Sequence, residues 1–234
     1  MGMHQAIQKR RQTLMIRYLL SNELIPQRSS SHRNHKVRIL TLGPLVNFIM
    51  LHNFLGPFVW WGEVKRHQEI KEEILPVIDH LVKSSPAEVR IPGWNCKVYS
   101  SYGKKVSFLE GKELLKEVVW DSIDTCLTEV HLSRTPSESR LSGIWFNQYE
   151  GGFFQEVHDH GDASFSGIYV LELNEPNTTA FFHQGTDLFL QETLTTEHIE
   201  EGNVIIFPSS LLHYVNPCQG KRTTISFNVD TQFK

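Results

Sequence analysis

The sequence predicts an α+β chain in which helices buttress one outer face of a two-sheet jelly roll. Three observations lead there. Apolar residues recur at three- and four-residue spacing in two segments before residue 133. After Leu141 the pattern changes to short β-branched and aromatic runs separated by Gly, Pro, Asn and Asp. Helices first and strands second is the order of a fold whose two kinds of element are segregated. With 234 residues, 40% apolar and 11% aromatic, the chain can bury a real core and falls outside the disordered, collagen-like and disulfide-rich classes.

Residues 1–38 hold eight basic groups against the single acid Glu23, which leaves 15 basic and 25 acidic groups for the rest. A basic head thus precedes an acidic body. With Ser29, Ser30 and Ser31 and few core-forming runs, residues 1–45 read as a flexible extension, and residues 46–234 as one domain. An Arg- and Ser-rich, acid-poor head also fits organellar targeting or a polyanion-binding arm. A net charge of −3 gives no whole-protein case for a nucleic-acid partner.

Ile39 to Gly62 contains no charged side chain over 24 residues, long enough for a membrane span. Asn47, His52 and Asn53 in its middle, and the turn dipeptides Gly43-Pro44 and Gly56-Pro57, argue against one. Short strands around Ile39–Thr41 and Phe58–Trp61 are expected instead. Val64–Lys83 then has the helical apolar period through Ile70, Ile74, Ile78 and Val82, with Pro76 expected to kink or split it. Gly111–Leu132 repeats the period through Leu115, Val118, Val119 and Ile123. Pro136, Ser137 and Ser139 read as a linker. Strands are expected at Ile144–Tyr149, Phe153–Val157, Phe165–Leu171, Thr178–Phe182, Val204–Phe207 and Thr223–Val229. Cys96, Cys126 and Cys218 are odd in number and lack CxxC spacing, so a reducing, cytoplasmic setting is the default.

The chemistry lies in the strand-rich part. His158-Asp159-His160-Gly161-Asp162 offers two imidazoles and two carboxylates, and His213 follows on a distant run. Residues i and i+2 of a strand share a face, so His158 and His160 could bind one ion together with His213. Neutral imidazoles suit iron, copper, zinc or nickel. Nine residues beyond His213 comes Arg222, whose planar guanidinium can clamp a carboxylate, with a hydroxyl at Thr224 on the same strand face.

These residues resemble the Fe(II)- and 2-oxoglutarate-dependent oxygenases, in particular the prolyl-hydroxylase-like branch found in marine bacteria and cyanophages. The matching text is Trp145-Phe146-Asn147-Gln148-Tyr149, Gly151-Gly152, Gln155 to His160, Phe165 to Tyr169, Gly202 to Ser209, His213 and Arg222 to Val229, within a similarity running from Phe54 to the C-terminus. The resemblance implies a double-stranded β-helix with Fe(II) at its mouth, His158 and His213 as ligands, and Arg222 with Thr224 as the clamp for the distal carboxylate of 2-oxoglutarate. Tyr149 sits where related hydroxylases place a tyrosine near the cosubstrate. The substrate implied is a peptide or amino-acid side chain or a small molecule.

One departure stands out: the family's usual His-x-Asp/Glu is His158-x-His160 here. Either the ligands are His158, His160 and His213, or the frame shifts to His160-Gly161-Asp162 and Asp162 supplies the carboxylate. A cupin is the competing class, since Gly152 before His158-x-His160 and Gly202 to Pro208 before His213 resemble its two motifs, although its glutamate is missing and Arg222 would have no role. A jelly-roll binding module without turnover is the third reading.

Overall fold

The computed structural model describes residues 50–53, 57–86, 96, 98–104, 113–130, 136–184 and 191–233. The chain divides into residues 1–34 and 35–234, and every described residue belongs to the second unit. The basic extension 1–45 and the strand expected at Ile39–Thr41 lie outside the described residues.

In chain order the elements are β1 (Met50–Asn53), β2 (Phe58–Glu63), α1 (His67–Ser84), β3 (Tyr99–Ser100), α2 (Glu113–Glu129), β4 (Pro136–Tyr149), β5 (Gln155–His158), β6 (Phe165–Leu173), β7 (Thr179–Gln184), β8 (Gln191–Thr195), β9 (Asn203–Pro208), β10 (Leu212–Val215) and β11 (Arg222–Phe233). From β4 onward the strands alternate between two antiparallel sheets, ordered β1-β2-β9-β6-β11-β4-β3 and β5-β10-β7-β8, except that β7 and β8 form a hairpin within the smaller one. That alternation of eight strands is a double-stranded β-helix.

The period-2 alternation of the long strands sorts side chains into two cores. On β9 and β6, Ile205, Phe207, Ile168 and Val170 point between the sheets, where Phe181 and Leu194 meet them. Their neighbours Val204, Ile206, Tyr169 and Leu171 point outward and are covered by Ile70, Ile74 and Ile78 of α1 and Leu115, Val119 and Ile123 of α2. The helices therefore buttress the larger sheet by their apolar stripes. Trp60 Nε1 of β2 donates to Glu129 at the end of α2 at 2.9 Å. Gly167 is a close approach: a Cβ there would occupy the ring of Phe227 on β11.

Pro76 does not split its helix, which runs unbroken over His67–Ser84. Pro76 is exposed, so the carbonyl that loses its partner, that of Glu72, faces water while Ile70, Ile74, Ile78 and Val82 stay buried on the opposite side. The expected linker at Pro136–Ser139 is also corrected, because these residues begin β4 and pair with β11 through Ser139↔Thr231 and Glu138↔Gln232. Residues 137, 138 and 140 are exposed, so the alternation that marks a half-buried strand is absent. Cross-strand polar pairs take its place: Arg140 Nη2 to Asp230 at 3.1 Å and Ser139 Oγ with Thr231 Oγ1 at 3.0 Å. Among the described residues, no helix is long and apolar enough to cross a membrane.

Candidate metal centre

His158 closes β5 and His213 lies on β10, and the two are direct register partners in the smaller sheet. His160 stands beyond the strand, in a turn where Gly161 takes a φ of +68° and its N–H donates to Asp159 Oδ1 at 3.0 Å. The backbone N–H of His160 donates to the Ser209 carbonyl at 2.9 Å, tying this turn to the segment leading into β10. It is the turn, and not strand periodicity, that brings His160 beside His158. The three side chains present ligand nitrogens within 4.8 Å of one another. Asp162 is exposed and stands outside that cluster.

In each histidine, Nδ1 faces an oxygen that can only accept. The partners are the Glu156 carbonyl for His158 at 2.8 Å, Asn228 Oδ1 for His160 at 2.9 Å and the Leu211 carbonyl for His213 at 3.0 Å. Each ring therefore carries its proton on Nδ1 and an unprotonated Nε2. Burial disfavours the imidazolium at all three, lowering His158, taking His160 down to about 4 and His213 well below its usual value. Three neutral imidazoles with fixed tautomers are a donor set that a divalent transition metal accepts. Asn228 Oδ1 also accepts from Ser166 Oγ at 2.8 Å, and Ser166 Oγ bonds Ser209 Oγ at 2.6 Å, so the partner of His160 is itself held.

The larger sheet supplies the opposite wall of a cavity of about 230 Å³. Register pairs Arg222 with Tyr149, Thr224 with Asn147 and Ser226 with Trp145, and all six side chains line it. Antiparallel strands rise about 3.4 Å per residue, so these rungs recur at about 7 Å. Arg222 is 1% exposed; its Nη2 donates to Thr179 Oγ1 at 2.6 Å, while Nε and Nη1 are buried without a hydrogen-bond partner among the described residues. Its guanidinium carbon lies 5.2 Å from the centre of the Tyr149 ring. Among the described residues no carboxylate forms an ion pair with it, and burial lowers its pKa. A buried cation with two unspent donors is a site for an anion.

Residues 143–228 match the family model described as "Putative 2OG-Fe(II) oxygenase". The match reaches from β4 into β11 and contains all three histidines, Arg222 and Thr224. The resemblance to 2-oxoglutarate- and Fe(II)-dependent oxygenases read from the sequence is borne out. No curated protein matches the sequence significantly. Similar solved structures include AviO1 from Streptomyces viridochromogenes, 10% identical with a TM-score of 0.52 over 74% of this chain and 89% of that one. The non-heme alpha ketoglutarate dependent epimerase SnoN from nogalamycin biosynthesis is 11% identical with a TM-score of 0.51, over 72% and 76%. A Pseudomonas putida prolyl-4-hydroxylase is 9% identical with a TM-score of 0.47, over 74% and 92%. The likeness to AviO1 and SnoN is one of fold, the double-stranded β-helix expected from the sequence.

Three residues at the site were given no role by sequence reasoning. Asn228 carried a signal, because it follows Thr224 and Ser226 at period 2 on β11. Gln155 lay in the matching text without a function. Thr179, which accepts from Arg222 Nη2, belongs to no motif.

Proposed function

We propose that the chain is an Fe(II)- and 2-oxoglutarate-dependent dioxygenase that hydroxylates a peptide or amino-acid side chain or a related small molecule. The observation that carries this reading is the Arg222 guanidinium, buried with two unpaired donors in the same cavity as three neutral histidines. A cupin or an emptied binding module has no use for that cation, and an unpaired buried charge costs several kcal/mol if nothing binds it.

In this reading His158, His160 and His213 hold iron through Nε2, and Arg222 and Thr224 hold the far carboxylate of 2-oxoglutarate. Iron and cosubstrate, when bound, supply oxidative decarboxylation to succinate and carbon dioxide coupled to hydroxylation of a substrate C–H bond. The residues of the chain do the rest. Arg222 neutralises a charge that would otherwise be desolvated in the cavity, and its bond to Thr179 fixes the fork. Asn228 and the carbonyls of Glu156 and Leu211 hold the imidazole tautomers that keep Nε2 unprotonated. Trp145 packs beside His160, 5.4 Å between ring centres, and helps exclude water there.

All three ligands are neutral, so the metal keeps its full double charge until an anion binds, which favours the dianionic cosubstrate. The test is turnover of 2-oxoglutarate labelled at C1, with Fe(II) in air. We expect metal-dependent release of labelled carbon dioxide and formation of succinate, both lost in Arg222→Met. Tight metal binding with no affinity for 2-oxoglutarate would contradict the proposal.

A further inference from the structure

A continuous set of contacts joins the two ends of the cavity. Tyr149, whose ring lies beside the Arg222 guanidinium, donates its hydroxyl to Gln155 Oε1 at 2.6 Å. The Gln155 amide nitrogen lies 3.1 Å from His158 Nε2. Because His158 Nδ1 faces the Glu156 carbonyl and must carry the proton, Nε2 is the acceptor and the Gln155 amide the donor. Gln155 is 7% exposed and Tyr149 is 1% exposed, so water does not readily replace either partner. The lone pair that would bind metal is thus engaged by an amide, and that amide is held by the tyrosine beside the anion site.

We propose that Gln155 is a positioning residue that couples occupancy of the Arg222 end to metal binding at His158. The inference rests on the functional reading above. An anionic carboxylate at Arg222 is a stronger acceptor than an amide carbonyl, and it competes for the Tyr149 hydroxyl. Once Tyr149 turns to it, Gln155 loses the bond that fixes its amide and leaves His158 Nε2 to the metal. By reciprocity, metal at Nε2 displaces the amide, frees Gln155 Oε1 from its fixed position and makes Tyr149 available to the carboxylate. The device keeps His158 oriented in the metal-free protein and makes metal and dicarboxylate bind with positive cooperativity.

The probe is Mn(II), which does not oxidise in air, with glutarate, a five-carbon dicarboxylate lacking the keto group. In the unaltered protein, saturating glutarate should raise Mn(II) affinity about fivefold or more, the range of ordinary coupling between sites. In Gln155→Leu, of similar volume but unable to donate, the enhancement should fall to near unity while Mn(II) itself still binds. Tyr149→Phe, which removes only the hydroxyl, should also lose it. In the metal-free protein, glutarate alone should shift the ring nitrogen resonance of His158 Nε2, and in Gln155→Leu it should not.

Enhancement retained in both variants would mean that glutarate touches the metal directly, and would overturn the relay. An unmoved His158 resonance in the unaltered protein would also overturn it. Failure of the unaltered protein to bind Mn(II) at all would instead overturn the functional reading on which the inference rests.

Discussion

His158 and His213 face each other as register partners on β5 and β10, with ring centres 4.2 Å apart, although 55 positions separate them in sequence. Antiparallel pairing makes them neighbours, and a register shift between His213 and Val215 follows at once on β10. Irregularities of this kind re-aim side chains near sites. His160 then joins from the turn, its ring 5.0 Å from that of His213.

Single truncations should separate ligands from bystanders. His158→Ala, His160→Ala and His213→Ala should each lose stoichiometric iron under anaerobic conditions, whereas Asp162→Ala should keep it. Asn228→Ala, which removes the acceptor shared by His160 Nδ1 and Ser166 Oγ but no proposed ligand, should weaken iron by about 10- to 100-fold without abolishing it. Loss of iron in Asp162→Ala would restore a carboxylate to the ligand set.

Arg222→Met should show a trade between stability and function. Loss of the guanidinium should cost about 2–5 kcal/mol of 2-oxoglutarate affinity, or about 30-fold to several thousand-fold, with metal binding spared. The same change removes a buried cation with two orphaned donors, so the ligand-free protein should gain about 1–4 kcal/mol in urea unfolding. Unchanged cosubstrate affinity would remove Arg222 from the site.

The histidines also set a pH response. The folded pKa of His160 is depressed to about 4 and those of His158 and His213 shift the same way, while an unfolded histidine titrates near ~6.5. As pH falls through this window the unfolded chain takes up protons that the native metal-free chain does not, so native stability falls with pH between about 6.5 and 4 and is level above it. His160 alone accounts for about 2–3 kcal/mol across the window. Urea midpoints of the metal-free protein at pH 7.5 and 5 should reveal the slope, and His160→Asn should reduce it; equal midpoints would contradict the assignment.

Gly167→Ala tests the helix-facing core away from the site. The added methyl would overlap the Phe227 ring on the neighbouring strand, and overpacking of this kind costs about 1–3 kcal/mol. A neutral result in thermal unfolding would show that Phe227 can move aside.

The long periodic elements were legible because burial on one face imposes their pattern. Ile70, Ile74 and Ile78 announce α1, and Ile225 and Phe227 announce β11 against that same core. β10 was not, since Leu212–Val215 is four residues long and carries a histidine where an apolar residue would signal a strand. The start of β4 was hidden by exposed polar pairing at Arg140 and Ser139. Arg222 and Thr224 were visible as types on one strand face, but the contact of Arg222 with Thr179 was not, because β7 reaches it only through sheet-to-sheet packing. The choice between His160 and Asp162 rested on a turn that no period encodes.

The most direct measurement is the visible spectrum of the protein titrated with Fe(II) and 2-oxoglutarate in the absence of air. Simultaneous binding of both should give a metal-to-ligand charge-transfer band that saturates at one equivalent of iron, fails to form with His213→Ala and is restored in Arg222→Met only at far higher 2-oxoglutarate. Tight iron binding with no such band at any 2-oxoglutarate concentration would contradict the account.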